Sequence, residues 1–181
     1  MSRPSLNPAP SGLARDAFVT RYGGVCEDSP WVAERLFDAG LDARHDTVDG
    51  LTDALNGVIA TAGRELQLAL VRAHPDLAGK AAVAGRLTAE STVEQASAGL
   101  DRCSPEEFER LQALNGAYHA RFGFPFIMAV RGSSRAQILD AFAARLENPP
   151  ETEFQRALEE IGKIIHLRLH ALADDRNGSG G

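Results

Sequence analysis

The sequence predicts an all-α protein, a single-domain bundle of about seven or eight helices. Apolar residues recur at spacings of three and four along most of the chain, and short polar breaks rich in proline and glycine separate these periodic stretches. No pair of segments has the alternating pattern of neighbouring strands. With 181 residues, of which 44% are hydrophobic, the chain is long enough to bury one core.

Local start and stop signals place the individual helices. The clearest start is Ser104-Pro105-Glu106-Glu107, with a serine N-cap, proline at the first helical position and glutamate at the third. Glycines mark several ends, because a residue beyond a helix often adopts the left-handed conformation. The predicted helices cover residues 13–22, 31–39, 47–73 (as one bent helix or two), 87–100, 105–122, 137–147 and 152–173, with an apolar buried turn over residues 124–132.

The two ends of the chain differ in composition from the periodic body. Residues 1–11 hold three prolines among small and polar residues, and residues 174–181 are polar and glycine-rich. Such segments bury little apolar surface, so both are predicted to be mobile tails. The predicted helical domain covers residues 12–173.

Composition excludes several classes of partner. The formal net charge is -6, and no run of lysines or arginines offers a basic stripe for nucleic acid. No apolar run approaches the ~20 residues of a membrane span, and the N-terminus lacks the apolar centre of a signal peptide. Cys26 and Cys103 form no CxxC pair and are too few for a disulfide framework. These features predict a soluble protein of a reducing cytoplasm and leave small neutral or anionic molecules as possible ligands, which would need a local positive group.

The segment HPDLAGK, residues 74–80, is the first candidate for function. A helix normally ends at or before the residue preceding a proline, so His74 is expected at a helix end, where binding and catalytic groups are often found. The alternative is a purely structural histidine that interacts favourably with the helix dipole.

Arg168 is the second candidate, because it lies on the apolar stripe of the last helix. A permanently charged guanidinium directed towards the interior needs a carboxylate or an anionic ligand. The alternatives are an arginine that extends its head to solvent, or one that pairs with an internal acid for structure alone. The stripe consists of Phe154, Leu158, Ile161, Ile165 and Leu172.

Ser91, Glu94 and Gln95 form a polar cluster on one face of a helical turn, at spacings of three and four. The alternative is a capping box, in which the serine and the glutamate only satisfy backbone donors. His166 and His170 are also one turn apart, but no third ligand is evident, so no metal site is predicted. A metal-dependent hydrolase using these histidines would lose activity in chelator.

Four motifs together resemble the 2-oxo-4-hydroxy-4-carboxy-5-ureidoimidazoline (OHCU) decarboxylase family. The resemblance runs from about residue 13 to 172 in the family's order and at compatible spacing. The early segment SPWVA, residues 29–33, also resembles that family. The four motifs are HPDLAGK at 74–80, STVEQ at 91–95 with AGL at 98–100, FGFPFI at 122–127, and KIIHLRL at 163–169.

The resemblance implies a cofactor-free, all-helical enzyme of urate breakdown, usually a homodimer, that decarboxylates OHCU to (S)-allantoin. The family's catalytic histidine, acid and arginine fall on His74, Glu94 and Arg168. The C-terminus has no peroxisomal Ser-Lys-Leu, so a bacterial cytoplasm is expected. The substrate-contacting positions fall on Pro75, Ser91, Glu94, Gln95, Phe126, Ile127, Met128, Ala129, Val130 and Arg168.

The expected roles follow from residue chemistry. His74 would act as general acid/base, since its ordinary pKa lies near the operating pH. Glu94 would hold the ring hydroxyl, and Arg168 would position the substrate on its oxo or ring-nitrogen side, because a clamp on the carboxylate would oppose its loss. Backbone groups of residues 126–130 would bind the ureido and ring edges. The rival interpretation is a non-catalytic helical interaction module, in which these residues lie far apart.

Overall fold

The structure, a computed structural model, describes residues 4–174 except the side chains of residues 80 and 81. Over this range the chain is all-α, as predicted, and its strand-like pairing is one isolated antiparallel bridge between Ser5 and Thr47. Eight of the helices have eight or more residues, and α5 is a four-residue turn. The helices are α1 (Arg15–Tyr22), α2 (Trp31–Ala39), α3 (Val48–Thr61), α4 (Arg64–Ala73), α5 (Lys80–Val83), α6 (Ala89–Ser97), α7 (Pro105–Phe122), α8 (Arg135–Leu146) and α9 (Pro150–Asp174).

The predicted caps on α7 are confirmed. The Ser104 hydroxyl accepts the backbone N–H of Glu107 at 3.1 Å, and the Glu107 carboxylate accepts the N–H of Ser104 at 2.9 Å. Gly123 follows the helix with a φ of 74°, the left-handed conformation that glycine adopts without steric cost. This sharp end directs the chain into the apolar segment after α7.

The long periodic stretch over residues 47–73 forms two helices. Gly63, with a φ of 84°, separates α3 from α4. A left-handed residue cannot continue a right-handed helix, so the break falls at the last of the three glycines in the stretch. The Thr47 hydroxyl caps α3 by accepting the N–H of Gly50 at 3.1 Å.

Residues 4–11 differ from the mobile tail predicted from the sequence. The side chain of Leu6 is buried, and its backbone N–H donates to the Asp46 carbonyl at 2.8 Å. The Tyr22 hydroxyl donates to the Pro8 carbonyl at 2.6 Å, and Ser11 donates twice to the Asp46 carboxylate. The buried side chains of Leu6 and Pro10, with these hydrogen bonds, hold a segment whose composition alone indicated mobility. Residues 1–3, and all of the predicted 174–181 tail except Asp174, lie outside the described residues.

The described helices fall into two compact units, and the domain bounds of 12 and 173 stay a prediction. Unit 1 comprises residues 4–70 and 162–174, and unit 2 is Val71–Ile161, so the division falls within α4 and α9. In residues 4–174, no helix is both long and apolar enough to cross a membrane. Each unit has its own core: Phe18, Tyr22, Leu51, Leu55, Ile165 and Leu169 in unit 1, and Leu111, Tyr118, Phe126, Phe142, Phe154 and Ile161 in unit 2.

Candidate active site

His74 follows the last residue of α4, as the proline after it predicted. Its backbone N–H donates to the Val71 carbonyl at 3.3 Å, and only 8% of the residue is exposed. A histidine next to a chain turn can be this buried only if the loop around it has one fixed conformation. A cavity of about 590 Å³ in unit 2 adjoins it, lined by Arg72, His74, Pro75, Asp76, Arg86, Gln112, Asn115, Gly116, His119 and Pro125.

The loop after His74 is fixed by side chains of α6 and α7. The Gln95 carboxamide accepts the Ala78 N–H at 2.9 Å and donates to the Asp76 carbonyl at 3.3 Å. From α7, Asn115 donates to the Leu77 carbonyl at 3.0 Å, and Gln112 donates to the Ala78 carbonyl at 2.8 Å. Three consecutive residues therefore have their peptide groups bound by neighbouring helices.

Two backbone features show how tightly this loop turns. Ala78 has a φ of 49°, a left-handed conformation that is costly for a residue with a Cβ. Gly79 lies against the side chain of Asp76, so that a Cβ on Gly79 would come within 2.6 Å of the Asp76 Cβ. Glycine is required at position 79 by this close approach.

Asp76 and His119 form an additional contact on the cavity wall. The distance between His119 Nε2 and Asp76 Oδ1 is 2.7 Å. Both side chains are partly exposed, so the pair adds little to stability. The pair connects α7 to Asp76, which lies two positions after His74.

Ser91, Glu94 and Gln95 lie within α6, and the first and last are buried. The helix is capped by Thr88, whose hydroxyl accepts the Ser91 N–H at 3.2 Å. Because Ser91 is not the N-cap, Glu94 cannot occupy the third position of a capping box. The structural alternative for this pair is therefore wrong, and the Glu94 carboxyl is half-buried on the second turn of the helix.

The segment of residues 126–130 is an irregular, mostly buried connection in unit 2. Its backbone is held by two charged side chains: Arg145 donates to the Ile127 carbonyl at 2.6 Å, and Glu160 accepts the Ala129 N–H at 2.8 Å. The Val130 carbonyl also accepts the N–H of Ser133. The Ala129 N–H, a single donor, is therefore engaged within the protein, whereas each of the two carbonyls has a second lone pair for another donor.

A buried polar network anchors Arg145. Its Nε donates to the Glu153 carboxylate at 2.7 Å, and its guanidinium lies 4.3 Å from the centre of the Phe126 ring. Glu153 also accepts hydrogen bonds from the hydroxyl of Tyr118 and the amide of Asn148. Burial, with the adjacent carboxylate of Glu153, raises the pKa of Tyr118 well above its ordinary value, so the phenol stays a donor.

Arg168, in unit 1, is buried as its place on the apolar stripe predicted. Its Nη2 lies 2.7 Å from Oε2 of Glu27, and Nη1 is 3.5 Å from the Val25 carbonyl. The pairing acid, Glu27, was not identified from the sequence. The neighbouring Cys26 is buried as well, and this burial raises the pKa of its thiol to about 12, although the charge of Arg168 acts in the opposite direction.

The residues singled out from the sequence divide between the two units. Unit 2 contains His74, Glu94 and the 126–130 segment, and its contacts join Gln95 directly to the His74 loop. Unit 1 contains Arg168 with Glu27.

His166 and His170 lie one turn apart on α9, with ring centres separated by 5.9 Å. Thr52 Oγ1 and Asp49 Oδ1 lie 3.4 and 4.0 Å from His166 Nδ1, and Asp174 Oδ2 lies 3.3 Å from His170 Nδ1. Within residues 4–174, no three histidine, cysteine or acidic side chains are grouped so as to hold a metal ion.

The fold and these side chains define an all-helical protein with ionisable groups held in buried, preformed positions. The family model described as OHCU decarboxylase matches residues 11–170, and the chain belongs to this family. An OHCU decarboxylase of Halalkalicoccus jeotgali is 42% identical over 165 residues, which cover 91% of this chain and 90% of that protein.

Two solved structures have a similar fold. A structure of OHCU decarboxylase in the presence of (S)-allantoin has a TM-score of 0.66 and 25% identity, over 83% of this chain and 95% of that one. A structure of (S)-allantoin synthase has a TM-score of 0.70 and 30% identity over 90% of this chain. This chain spans about half of the synthase, 52% of its length.

Proposed function

We propose that this protein is a lyase of urate breakdown that decarboxylates OHCU stereoselectively to (S)-allantoin. Membership of the OHCU decarboxylase family over residues 11–170 supports the reaction, and the similar fold of an OHCU decarboxylase solved in the presence of (S)-allantoin supports the product. The structural observation that carries the proposal is the buried His74, presented at a helix end by a loop whose shape is fixed.

The reaction needs a proton donor at one defined place. When the bond between the ring carbon and its carboxylate breaks, CO2 leaves and the electron pair passes into the adjoining imine and oxo system. A proton must then reach one face of the ring. His74 supplies it as general acid, because an imidazole has its ordinary pKa close to the operating pH.

Glu94 and the 126–130 segment hold the substrate in this proposal. Glu94 binds the ring hydroxyl, a role supported by the failure of the capping alternative. Pro75, Ser91 and backbone groups of residues 126–130 supply further contacts. The bonds from Arg145 to the Ile127 carbonyl and from the Ala129 N–H to Glu160 fix the shape of the segment.

The role of Arg168 as substrate-positioning residue rests on the family resemblance. Its pairing with Glu27 reduces the net positive charge that it would offer to an anion. This fits a residue that orients neutral oxo or ring-nitrogen groups and leaves the departing carboxylate weakly held. On the same resemblance we propose that the protein is a cofactor-free homodimer.

The test is to incubate the purified protein with freshly prepared OHCU and to measure CO2 and allantoin against a sample without protein. We expect CO2 and allantoin in equal amounts, formed at a rate that is proportional to the protein concentration and unchanged by chelator. A rate equal to that without protein would favour the interaction module, and loss of activity in chelator would favour a metal-dependent enzyme.

A further inference from the structure

We infer that Gln95, Gln112 and Asn115, which we call the amide clasp, are positioning residues for His74. The inference rests on the proposed function and extends it to side chains that act through the loop. The family resemblance places Gln95 among the substrate contacts, and in the structure both ends of its carboxamide also bind loop backbone. No residue of the amide clasp is required to touch the reacting atoms.

Gln95 binds the loop backbone through both ends of its carboxamide. Its Oε1 accepts the Ala78 N–H at 2.9 Å, and its Nε2 donates to the Asp76 carbonyl at 3.3 Å. A carboxamide presents an acceptor and a donor side by side, so one side chain can bind two peptide groups as a strand would. Only 6% of Gln95 is exposed, which protects both bonds from water.

Gln112 and Asn115 extend the amide clasp from α7. They donate to the Ala78 and Leu77 carbonyls at 2.8 and 3.0 Å. The Oδ1 atom of Asn115 is buried and has no hydrogen-bond partner among the described residues. A buried oxygen without a hydrogen-bond partner lowers stability, and an apolar side chain of similar size would avoid that loss. We therefore explain the amide at this position by the hydrogen bond that its Nδ2 donates to the Leu77 carbonyl of the loop.

The loop depends on hydrogen bonds from other helices because its own backbone conformation is only weakly stabilised. Its internal hydrogen bond, from Gly79 N–H to the Asp76 carbonyl, is 3.4 Å long, and Ala78 has the unfavourable φ of 49°. Side-chain bonds from two helices therefore impose the conformation that directly follows His74 and Pro75. Loss of these bonds would let the histidine move, and a displacement of about 1 Å can cost a catalytic step about 100-fold.

The test compares Gln95→Met and Asn115→Leu with Gln67→Met as a matched control. Gln67 also uses its carboxamide to bind backbone, donating to the Ile59 and Ala60 carbonyls at 3.0 and 3.3 Å, but it belongs to unit 1. All variants are assayed well below their melting temperatures. We expect kcat to fall roughly 10- to 100-fold in both clasp variants, with KM within about threefold of wild type. We expect Gln67→Met to stay within about twofold.

A kcat for Gln95→Met and Asn115→Leu equal to that of the control would overturn the inference and leave the proposed function standing. If the wild type itself fails to decarboxylate OHCU, the proposed function fails, and the amide clasp is judged by hydrogen exchange at the Ala78 amide. Faster exchange in Gln95→Met supports it, and unchanged exchange contradicts it. If Gln95→Met does not fold, Gln95→Glu, which keeps the acceptor and replaces the donor, provides both measurements.

Discussion

The guanidinium of Arg168 and the carboxylate of Glu27 form a buried ion pair, with Nη2 and Oε2 2.7 Å apart and side-chain exposures of 4% and 2%. Removing one partner of such a pair strands a charge in the interior, which commonly costs about 3–5 kcal/mol. The pair therefore offers a structural role for Arg168 that competes with substrate positioning, and one substitution separates them.

Arg168→Lys keeps the positive charge beside Glu27 but loses the planar fork of donors. If Arg168 positions the substrate, kcat/KM should fall roughly 10- to 1,000-fold, or about 1.4 to 4 kcal/mol, with little change in melting temperature. Steady-state kinetics and thermal melts on one preparation measure both. A lower melting temperature with activity retained per folded molecule would assign Arg168 to structure alone.

Glu27→Gln is the companion variant for the same pair. It leaves the Arg168 cation buried without its carboxylate, so we expect a loss in free energy of unfolding of about 3 kcal/mol, measured by denaturant titration. A loss below about 0.5 kcal/mol would mean that another group neutralises Arg168.

Glu94→Gln tests the acid of the polar cluster. Because Thr88 caps α6, this substitution removes no cap, and glutamine has nearly the shape of glutamate, so stability should change much less than activity. If the carboxylate holds the ring hydroxyl, activity should fall at least about tenfold, since a charged acceptor binds more strongly than a neutral one. Equal kcat/KM for the two proteins would remove Glu94 from the site.

Gly79→Ala tests the tight turn of the His74 loop. The added Cβ would lie 2.6 Å from the Asp76 Cβ, so the loop must shift and activity should fall at least about tenfold. Gly57→Ala in α3 is the control, because no atom lies within 4 Å of its added Cβ. In that helix, alanine should stabilise the protein by about 0.5–1 kcal/mol and leave kcat unchanged. Normal activity of Gly79→Ala would show that the turn tolerates displacement.

The reactivity of the two thiols tests the environment of Arg168. Burial raises the pKa of Cys26 to about 12, so almost none of this thiol is in the reactive thiolate form at pH 8. We expect iodoacetamide to modify Cys103 in the folded protein and to leave Cys26 unmodified, as measured by mass spectrometry of peptides. Rapid labelling of Cys26 under native conditions would contradict the burial of this region.

The sequence was sufficient for the features that depend on neighbours along the chain. The capping box at Ser104, the glycine end at Gly123 and the helix end before Pro75 each depend on a few consecutive residues, and all are confirmed. The burial of Arg168 followed from periodicity, because one face of a regular helix has one environment.

Contacts between distant parts of the chain could not be obtained in this way. Periodicity indicated that Arg168 needs a carboxylate or an anionic ligand but could not select Glu27, which is far away in sequence. The carboxamides that hold the His74 loop come from residues 17 to 38 positions away and carry no local signal.

Circular dichroism of the allantoin formed by wild type and by His74→Asn measures whether His74 delivers the proton in the decarboxylation of OHCU. His170→Asn, at an exposed ion pair on α9, serves as the control. We expect a strong (S)-allantoin signal from wild type and control, and a rate at least about 100-fold lower from folded His74→Asn. A folded His74→Asn variant that produces (S)-allantoin at the wild-type rate would contradict this role of His74.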